Sequence, residues 1–447
     1  MPGVQDISLV VLSHGLWGNK SHMGYIENKL QDKYGDAIHI LNASVNEAKY
    51  TYDGVDICGR RLTDEIESTV VRLGKNGKRV TRFSIVGYSL GGLITRYTVG
   101  LLGQRGFFNT IEPDYYISFA TPHMGVKIPS KSFISVVFNF MSGRIVSRSG
   151  EQLQLIDKFD KENNKSMLEV LADPDQIYFQ YLAKFKTRRT YINIANDRTV
   201  PYWTAGMEVM DYFFESKGKI DITLDESYKT LITAYDVKVP TDVEIKKKKK
   251  KIALKPVLLK TVLYCILPIL GPVYFLLVLS LIGIQGLLSR HRSSKLLLTY
   301  QNNDSTIKSS ESDATLDHRR ASDVDKFVDG GMLAGALDAL NLPGDTSSPP
   351  LQRSSSHHDG SEITEQDGTI YYCKVTPGKA LQSNAKPLQL DQKTLQIHKN
   401  LNLLDWERVW VYIRGFNAHG SIVCRNNMYT TDAGEATIKH FIDTTKF

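Results

Sequence analysis

Residues 82–97 read "RFSIVGYSLGGLITRY", an apolar run that meets a glycine-rich turn and continues at helical spacing. Gly87, Ser89 and Gly91 fit the pattern G-x-S-x-G, with the strand before it and the helix after it that the pattern requires. No other feature restricts the chain so tightly. A turn this sharp has no room for Cβ atoms on either side of the serine. It lifts the hydroxyl off the backbone and sets it at the first turn of a helix, where free amide N–H groups point outward. The spacing therefore points to Ser89 as a nucleophile. The plainer alternative is a tight strand-to-helix turn that carries an exposed serine.

Such an elbow belongs at the end of a buried strand, and the first two hundred residues supply neighbours for it. "ISLVVLS", "AIHILNAS", "DYYISFA" and "TYINIAN" are short apolar runs that read as further strands. "RRLTDEIESTVVRL" places Leu62, Ile66, Val70 and Leu73 on one face of a helix. Strands alternating with helices predict a mostly parallel α/β sheet covered on both faces. The pattern loosens after Gly206. From about residue 300 to 366 the chain is rich in Ser, Asp and His, as in "TSSPPLQRSSSHHDGS", which predicts disorder. "RRAS" at 319–322 looks like a kinase site, although matches of that length arise by chance. Order is expected again from "TIYYCKV", through the helix-like "DQKTLQIHKNLNLL", to "WERVWVYI", which reads as a buried strand.

A serine nucleophile needs donors for the oxyanion it creates. One is the amide of the next residue, Leu90. The other is expected from the loop after the first strand, "LSHGLWGN", where Gly15 lets the chain turn its amides inward and Leu16 is the expected donor. His14 precedes the serine, an order such folds do not use for the base, so it reads as a packing residue of that loop. The order is serine, then acid, then histidine, with acid and base on loops after later strands. Asp197 in "YINIANDRTVPYW" stands just past a strand and would hold one histidine tautomer; its bland reading is an Asx-turn residue. Among the histidines, His123 precedes the acid and reads as a loop residue beside the substrate. His398 lies in a helix-like segment, and His291, His357 and His358 flank or occupy the middle region. His419 in "VWVYIRGFNAHGSIVCR" follows a strand and a loop, with Gly420 giving it backbone freedom, and His440 is the runner-up.

Together "HGLWGN", "VGYSLGGLITRY", "SFATPHMGV", "NDRTVPYW" and "NAHGSIVCR" resemble the eukaryotic serine-esterase family of lipase-like α/β-hydrolases, in particular its fungal lipid-droplet phospholipase branch. The resemblance covers about the first two hundred residues and the last fifty. It implies an α/β-hydrolase fold and cleavage of glycerolipid acyl esters. The interruption by a hydrophobic hairpin and a disordered insert between acid and base departs from a compact hydrolase, and the expected chemistry needs no metal or organic cofactor. The family's serine, acid and histidine fall on Ser89, Asp197 and His419. Triacylglycerol or sterol-ester hydrolysis is the nearest alternative and protein depalmitoylation a more distant one. A membrane-anchored scaffold that keeps the fold without the chemistry is the alternative of another class. The expected divisions are a core at 1–240 with nucleophile and acid, a basic-flanked hydrophobic segment at 246–295, the insert at 300–366, and a returning part of the core at 367–447 with the histidine.

The middle region bears on where the protein works. The net charge is +7, but six positive charges form the single run Lys246 to Lys251, which leaves a balance of +1. Basicity this local suits anionic lipid head groups and not nucleic acid. Residues 252–288 hold the uncharged "YCILPILGPVYFLLVLS", split by Pro268 and Pro272 into arms of about sixteen residues, or about 24 Å as helix. A bilayer core is about 30 Å thick, and Arg290, Arg292 and Lys295 make the far flank basic too. Ser89 and Asp197 precede this segment and His419 follows it. A single crossing would separate groups that must meet within about 3 Å. The expectation is a hairpin in a lipid-droplet monolayer or the endoplasmic reticulum membrane, with both halves of the core facing the cytosol; the alternatives are one tilted span over 261–288 and a buried core helix pair. Four scattered cysteines, Cys58, Cys265, Cys373 and Cys424, are expected to be reduced thiols.

Overall fold

A parallel strand covered on both faces needs apolar side chains pointing both ways, and Gln5–Ser13 (β1) has seven buried positions in succession. Its Leu9 and Val11 join one core and its Val10 and Leu12 the other. The structure is a computed structural model that describes residues 4–127, 147–211, 220–237, 280, 283–298, 300, 386–415 and 417–447. Gly24–Tyr34 (α1) leads to Ile38–Asn42 (β2), and Val55–Lys75 (α2) to Lys78–Tyr88 (β3). Leu90–Gln104 (α3) follows, then Glu112–Phe119 (β4) and Thr187–Asn193 (β5).

These five strands and Glu407–Val411 form one six-stranded sheet in which every pairing is parallel. Outward from one edge run β2, β1, β3, β4, β5 and Glu407–Val411. The α/β-hydrolase architecture follows from this order. The order in which successive strands are added reverses at β1, because β2 lies on one side of it and β3 on the other. Crevices at such switch points, beyond the carboxyl ends of the strands, are where open α/β sheets bind ligands. Ser13 of β1 pairs with Gly87 of β3 at that point, so the loops holding His14 and Ser89 begin side by side.

Two expectations change. "WERVWVYI" is an edge strand, not a buried one: Glu407, Arg408 and Trp410 keep partial exposure. Beyond Gly206 the chain forms an antiparallel hairpin, Ile220–Leu224 (β6) with Ile232–Val237 (β7). This hairpin is tied to the late strand, since Leu231 bridges Val411 and Tyr412 N–H donates to Thr230 O at 2.9 Å. Past the uncharged stretch and before the insert a helix spans residues 283–298. Its Ser289 and Ser293 are buried against Asp53. Segments before and after the insert thus belong to one folded body.

The lysine run, residues 251–279, the phosphorylation-like "RRAS", "TIYYCKV", Cys265, Cys373, His357 and His358 lie outside the described residues. Among the described residues no helix is long and apolar enough to cross a membrane. Cys58 and Cys424 are free and buried.

Candidate active site

Ser89 connects β3 to α3 with φ +56° and ψ −126°, a conformation that costs a non-glycine residue about 1–3 kcal/mol. The neighbours over-determine it. Ser89 N–H donates to Phe119 O of β4 at 2.9 Å, and Gly92 N–H donates back to Ser89 O at 3.1 Å. A Cβ at Gly91 would collide with the carbonyls of Ser13 and His14 at the end of β1, and one at Gly92 would collide with Thr121. The glycines therefore let α3 start directly against two strand ends. Gly92 is the one the serine pattern does not announce.

The structure brings Ser89, His419 and Asp197 into one hydrogen-bonded chain. Ser89 Oγ lies 3.0 Å from His419 Nε2, and His419 Nδ1 lies 2.8 Å from Asp197 Oδ2. A carboxylate facing Nδ1 accepts its proton, which leaves Nε2 as the acceptor for the serine hydroxyl. Both readings of Asp197 hold together: Oδ2 faces the imidazole, while Oδ1 accepts Thr199 N–H at 3.0 Å and Val200 N–H at 2.8 Å, an Asx turn. The side chain of Asp197 is 3% exposed and that of His419 8% exposed, so the pair is shielded from water.

Sheet-edge contacts set the spacing between acid and base. Asn193, the last residue of β5, accepts Ile413 N–H on Oδ1 at 2.8 Å. Ile194 N–H donates to Val411 O at 3.1 Å, and Asn196 Nδ2 donates to Arg414 O at 3.0 Å. The acid loop and the approach to the base are zipped for several residues before they separate. His419 then sits in a short helix, Ala418–Ser421, capped by Asn417, whose side chain accepts Gly420 N–H at 3.1 Å. Gly420 is therefore held within a helix and is not a source of backbone freedom, contrary to expectation. Tyr88 completes the support: its hydroxyl donates to His419 O at 2.9 Å and its ring lies 5.0 Å from the imidazole. The residue next to the serine thus braces the histidine. Only proximity to Ser89 could have singled it out in the sequence.

The 14–18 loop passes directly over the serine. A Cβ at Gly15 would lie 2.7 Å from Ser89 Cβ and 3.2 Å from its Oγ. Gly18 N–H donates to Gly15 O at 3.0 Å, closing a tight turn in which Trp17 has φ +52°. Trp17 N–H donates to Thr51 Oγ1 at 3.0 Å. Two of the three amides after Gly15 are therefore engaged, and among the described residues Leu16 N–H has no such partner. Leu90 N–H, at the first turn of α3, is likewise one of the amides a helix start leaves open. A tetrahedral oxyanion at Ser89 would have these two unengaged amides as its candidate donors, with the positive end of α3 beside it.

The remaining histidines are placed elsewhere. His14 is buried with Nδ1 3.1 Å from Gly15 O, and burial holds its pKa below the usual value. His123 is no substrate-side loop residue: it is fully buried, its Nε2 is 2.9 Å from Ser118 Oγ, and burial holds it well below the usual range. His440 packs inside the fold with Nδ1 3.0 Å from Tyr191 Oη, and burial lowers it to about 3. His398 Nδ1 donates to Met207 O at 2.8 Å.

Known proteins fit this arrangement. The chain is 29% identical over 219 residues to Putative lipase C4A8.10 of Schizosaccharomyces pombe, covering 48% of this chain and 27% of that protein. It is 30% identical over 210 residues to Putative lipase ROG1 of Saccharomyces cerevisiae, covering 46% and 29%. The matched region thus spans less than a third of these relatives. Among solved structures, carboxyl esterase 2 of Tuber melanosporum superposes with a TM-score of 0.28 at 15% identity, over 42% of this chain and 58% of that one. That overlap is too slight to bear on the fold, which rests on the strand order above. Residues 5–209, which hold Ser89, the 14–18 loop and Asp197, match the family model described as Putative serine esterase (DUF676).

Proposed function

We propose that the protein is a serine hydrolase that cleaves acyl ester bonds of glycerophospholipids at a lipid surface. The observation that carries this reading is the hydrogen-bonded chain from Ser89 through His419 to Asp197. In the proposed reaction Ser89 Oγ attacks the acyl carbonyl carbon while its proton passes to His419 Nε2. The Leu16 and Leu90 amides hold the oxyanion, and Asp197 stabilises the imidazolium through Nδ1. The imidazolium then protonates the departing lysolipid alkoxide. Water, deprotonated by the same nitrogen, attacks the acyl-enzyme and releases the fatty acid.

Three features support a lipid surface. The lysine run precedes a long uncharged stretch. The chain on either side of that stretch packs into one body, so a segment entering a lipid layer leaves by the face it entered. Helix 283–298 also exposes Ile284 at 54%, Leu287 at 69% and Leu288 at 54%, on the turns nearest that stretch. A droplet monolayer or the cytosolic leaflet of the endoplasmic reticulum meets these demands equally. The relatives' names as lipases favour neutral glycerides as a second substrate reading.

The test is fatty-acid release by the purified full chain from phosphatidylcholine, phosphatidylethanolamine, triacylglycerol and sterol ester, each presented in emulsion. Release from the phospholipids that disappears in Ser89→Ala is the expected result. Release only from triacylglycerol would favour the second reading, and wild-type release by Ser89→Ala would leave a scaffold.

A further inference from the structure

Helix 283–298 is attached to the core by ionic contacts that no local pattern announces. Asp53 is fully buried. Its carboxylate accepts Arg292 Nη2 at 2.6 Å and Nε at 2.9 Å, Arg61 Nη2 at 2.6 Å and Ser289 Oγ at 2.8 Å. Ser293 Oγ donates to Asp53 O at 3.1 Å and Arg292 Nη2 to Lys49 O at 3.2 Å. Both guanidinium groups lie over the Tyr50 ring, at 5.0 Å and 5.3 Å. Arg290 pairs with Glu151 at 2.9 Å. Two of the arginines read as a head-group flank are therefore turned inward onto the fold.

The segment they grip, Ala48–Asp53, is the bed of the 14–18 loop. Thr51 Oγ1 donates its own proton to Ala48 O at 2.7 Å, which orients a lone pair toward Trp17 N–H. Ala48 N–H donates to Gly18 O at 2.8 Å, and the Trp17 and Tyr52 rings lie 5.3 Å apart. The turn that carries Leu16, the expected oxyanion donor, is thus pinned at its second central residue and at its last one. Its bed is in turn held by Asp53.

We propose that Arg292 and Asp53 are positioning residues for acyl transfer: helix 283–298 clamps the Ala48–Asp53 turn, whose Thr51 holds the Trp17 amide and so fixes the oxyanion loop over Ser89. The proposal rests on the serine-hydrolase reading. Without the clamp the turn gains freedom, and the Leu16 amide leaves the place where the oxyanion develops. Such a loss falls on the transition state and leaves ground-state binding unchanged. Arg61 remains on Asp53 when Arg292 is removed, so the buried carboxylate keeps a partner and the fold is retained.

The test uses the purified full chain, p-nitrophenyl butyrate as a soluble ester, and a trifluoromethyl ketone as transition-state analogue. Arg292→Met and the near-isosteric Thr51→Val are each expected to lower kcat about tenfold with KM within about twofold, and to weaken the analogue by the same factor. Arg292→Lys, which keeps the charge without the fork, should fall between. The double variant should be no slower than either single one, because both break one path. Wild-type kcat in folded Arg292→Met and Thr51→Val, or losses that multiply in the double variant, would overturn the proposal. Fluorophosphonate labelling of Ser89 in the wild-type chain separates the two levels. A wild type that neither labels nor turns over removes the hydrolase reading and this one with it. A wild type that does both, beside variants equal to it, removes the positioning role alone.

Discussion

Replacing Asp197 by Asn isolates what its two oxygens do. The amide oxygen of Asn can still accept Thr199 N–H and Val200 N–H, the two bonds that Oδ1 makes at 3.0 and 2.8 Å. The loop therefore keeps its shape. The amide NH2 then faces His419 Nδ1 where Oδ2 stood at 2.8 Å. Two donors cannot share that contact, so Nδ1 becomes the acceptor and the proton moves to Nε2. Nε2 lies 3.0 Å from Ser89 Oγ, and once protonated it cannot take the serine proton. The imidazolium also loses its carboxylate. The expected fall in kcat is about 10³- to 10⁴-fold, or about 4–5.5 kcal/mol of barrier, with little change in stability. Asp197→Ala should be as slow and should also unfold about 1–3 kcal/mol more easily, because it leaves the two loop amides without their acceptor. Steady-state turnover of p-nitrophenyl butyrate and chemical denaturation of the three chains measure both quantities. Asp197→Asn with more than a tenth of wild-type kcat, or Asp197→Ala as stable as Asp197→Asn, would refute the reasoning.

Other consequences can be measured in the same way. Tyr88→Phe removes the hydroxyl that donates to His419 O at 2.9 Å and keeps the ring, so kcat should fall several-fold, with a stability cost near about 1 kcal/mol. Gly15→Ala places a Cβ 2.7 Å from Ser89 Cβ, so fluorophosphonate labelling should slow sharply while the circular dichroism spectrum stays native. Stability should decline on acidification. His440 is pushed to about 3, first by burial and then by the nearby Arg189, against an ordinary value of 6.5. Between those values the unfolded chain binds a proton that the folded chain refuses, so stability rises with pH and is lost as pH falls below about 6.5. Each such group contributes up to about 1.4 kcal/mol per pH unit. Denaturation at pH 6.5 and 5 should show this loss, and His440→Gln should reduce it by one group's share.

The strands were legible because a parallel sheet covered on both faces makes its own signal: "ISLVVLS" and "RFSIVGYS" are apolar in both directions, and only burial on two sides explains that. The elbow was legible because sterics leave almost no residue but glycine at Gly87 and Gly91. Asp197 could be placed after a strand, but not separated from a turn residue, because it is both. His419 was reached through chain order, while its supports Asn193, Asn417 and Tyr88 act across contacts that no local pattern encodes. The same holds for Arg292. A guanidinium near an apolar run reads as a lipid-facing charge until the fold brings a buried carboxylate to it from 239 positions away. His123 went wrong for a related reason: a histidine in a loop gives no local sign that helix and strand will close over it.

The imidazole arrives by way of a strand that joins the sheet at its rim, through five paired residues from Glu407↔Arg189 to Val411↔Asn193. Ser89, the 14–18 loop and Asp197 all come from residues before position 200. A growing polypeptide thus completes its serine and its acid long before it owns the imidazole that joins them. On the proposed reading, hydrolytic competence would wait on a late zipping event at the margin of the sheet, and a chain halted or clipped before that event would lack its base.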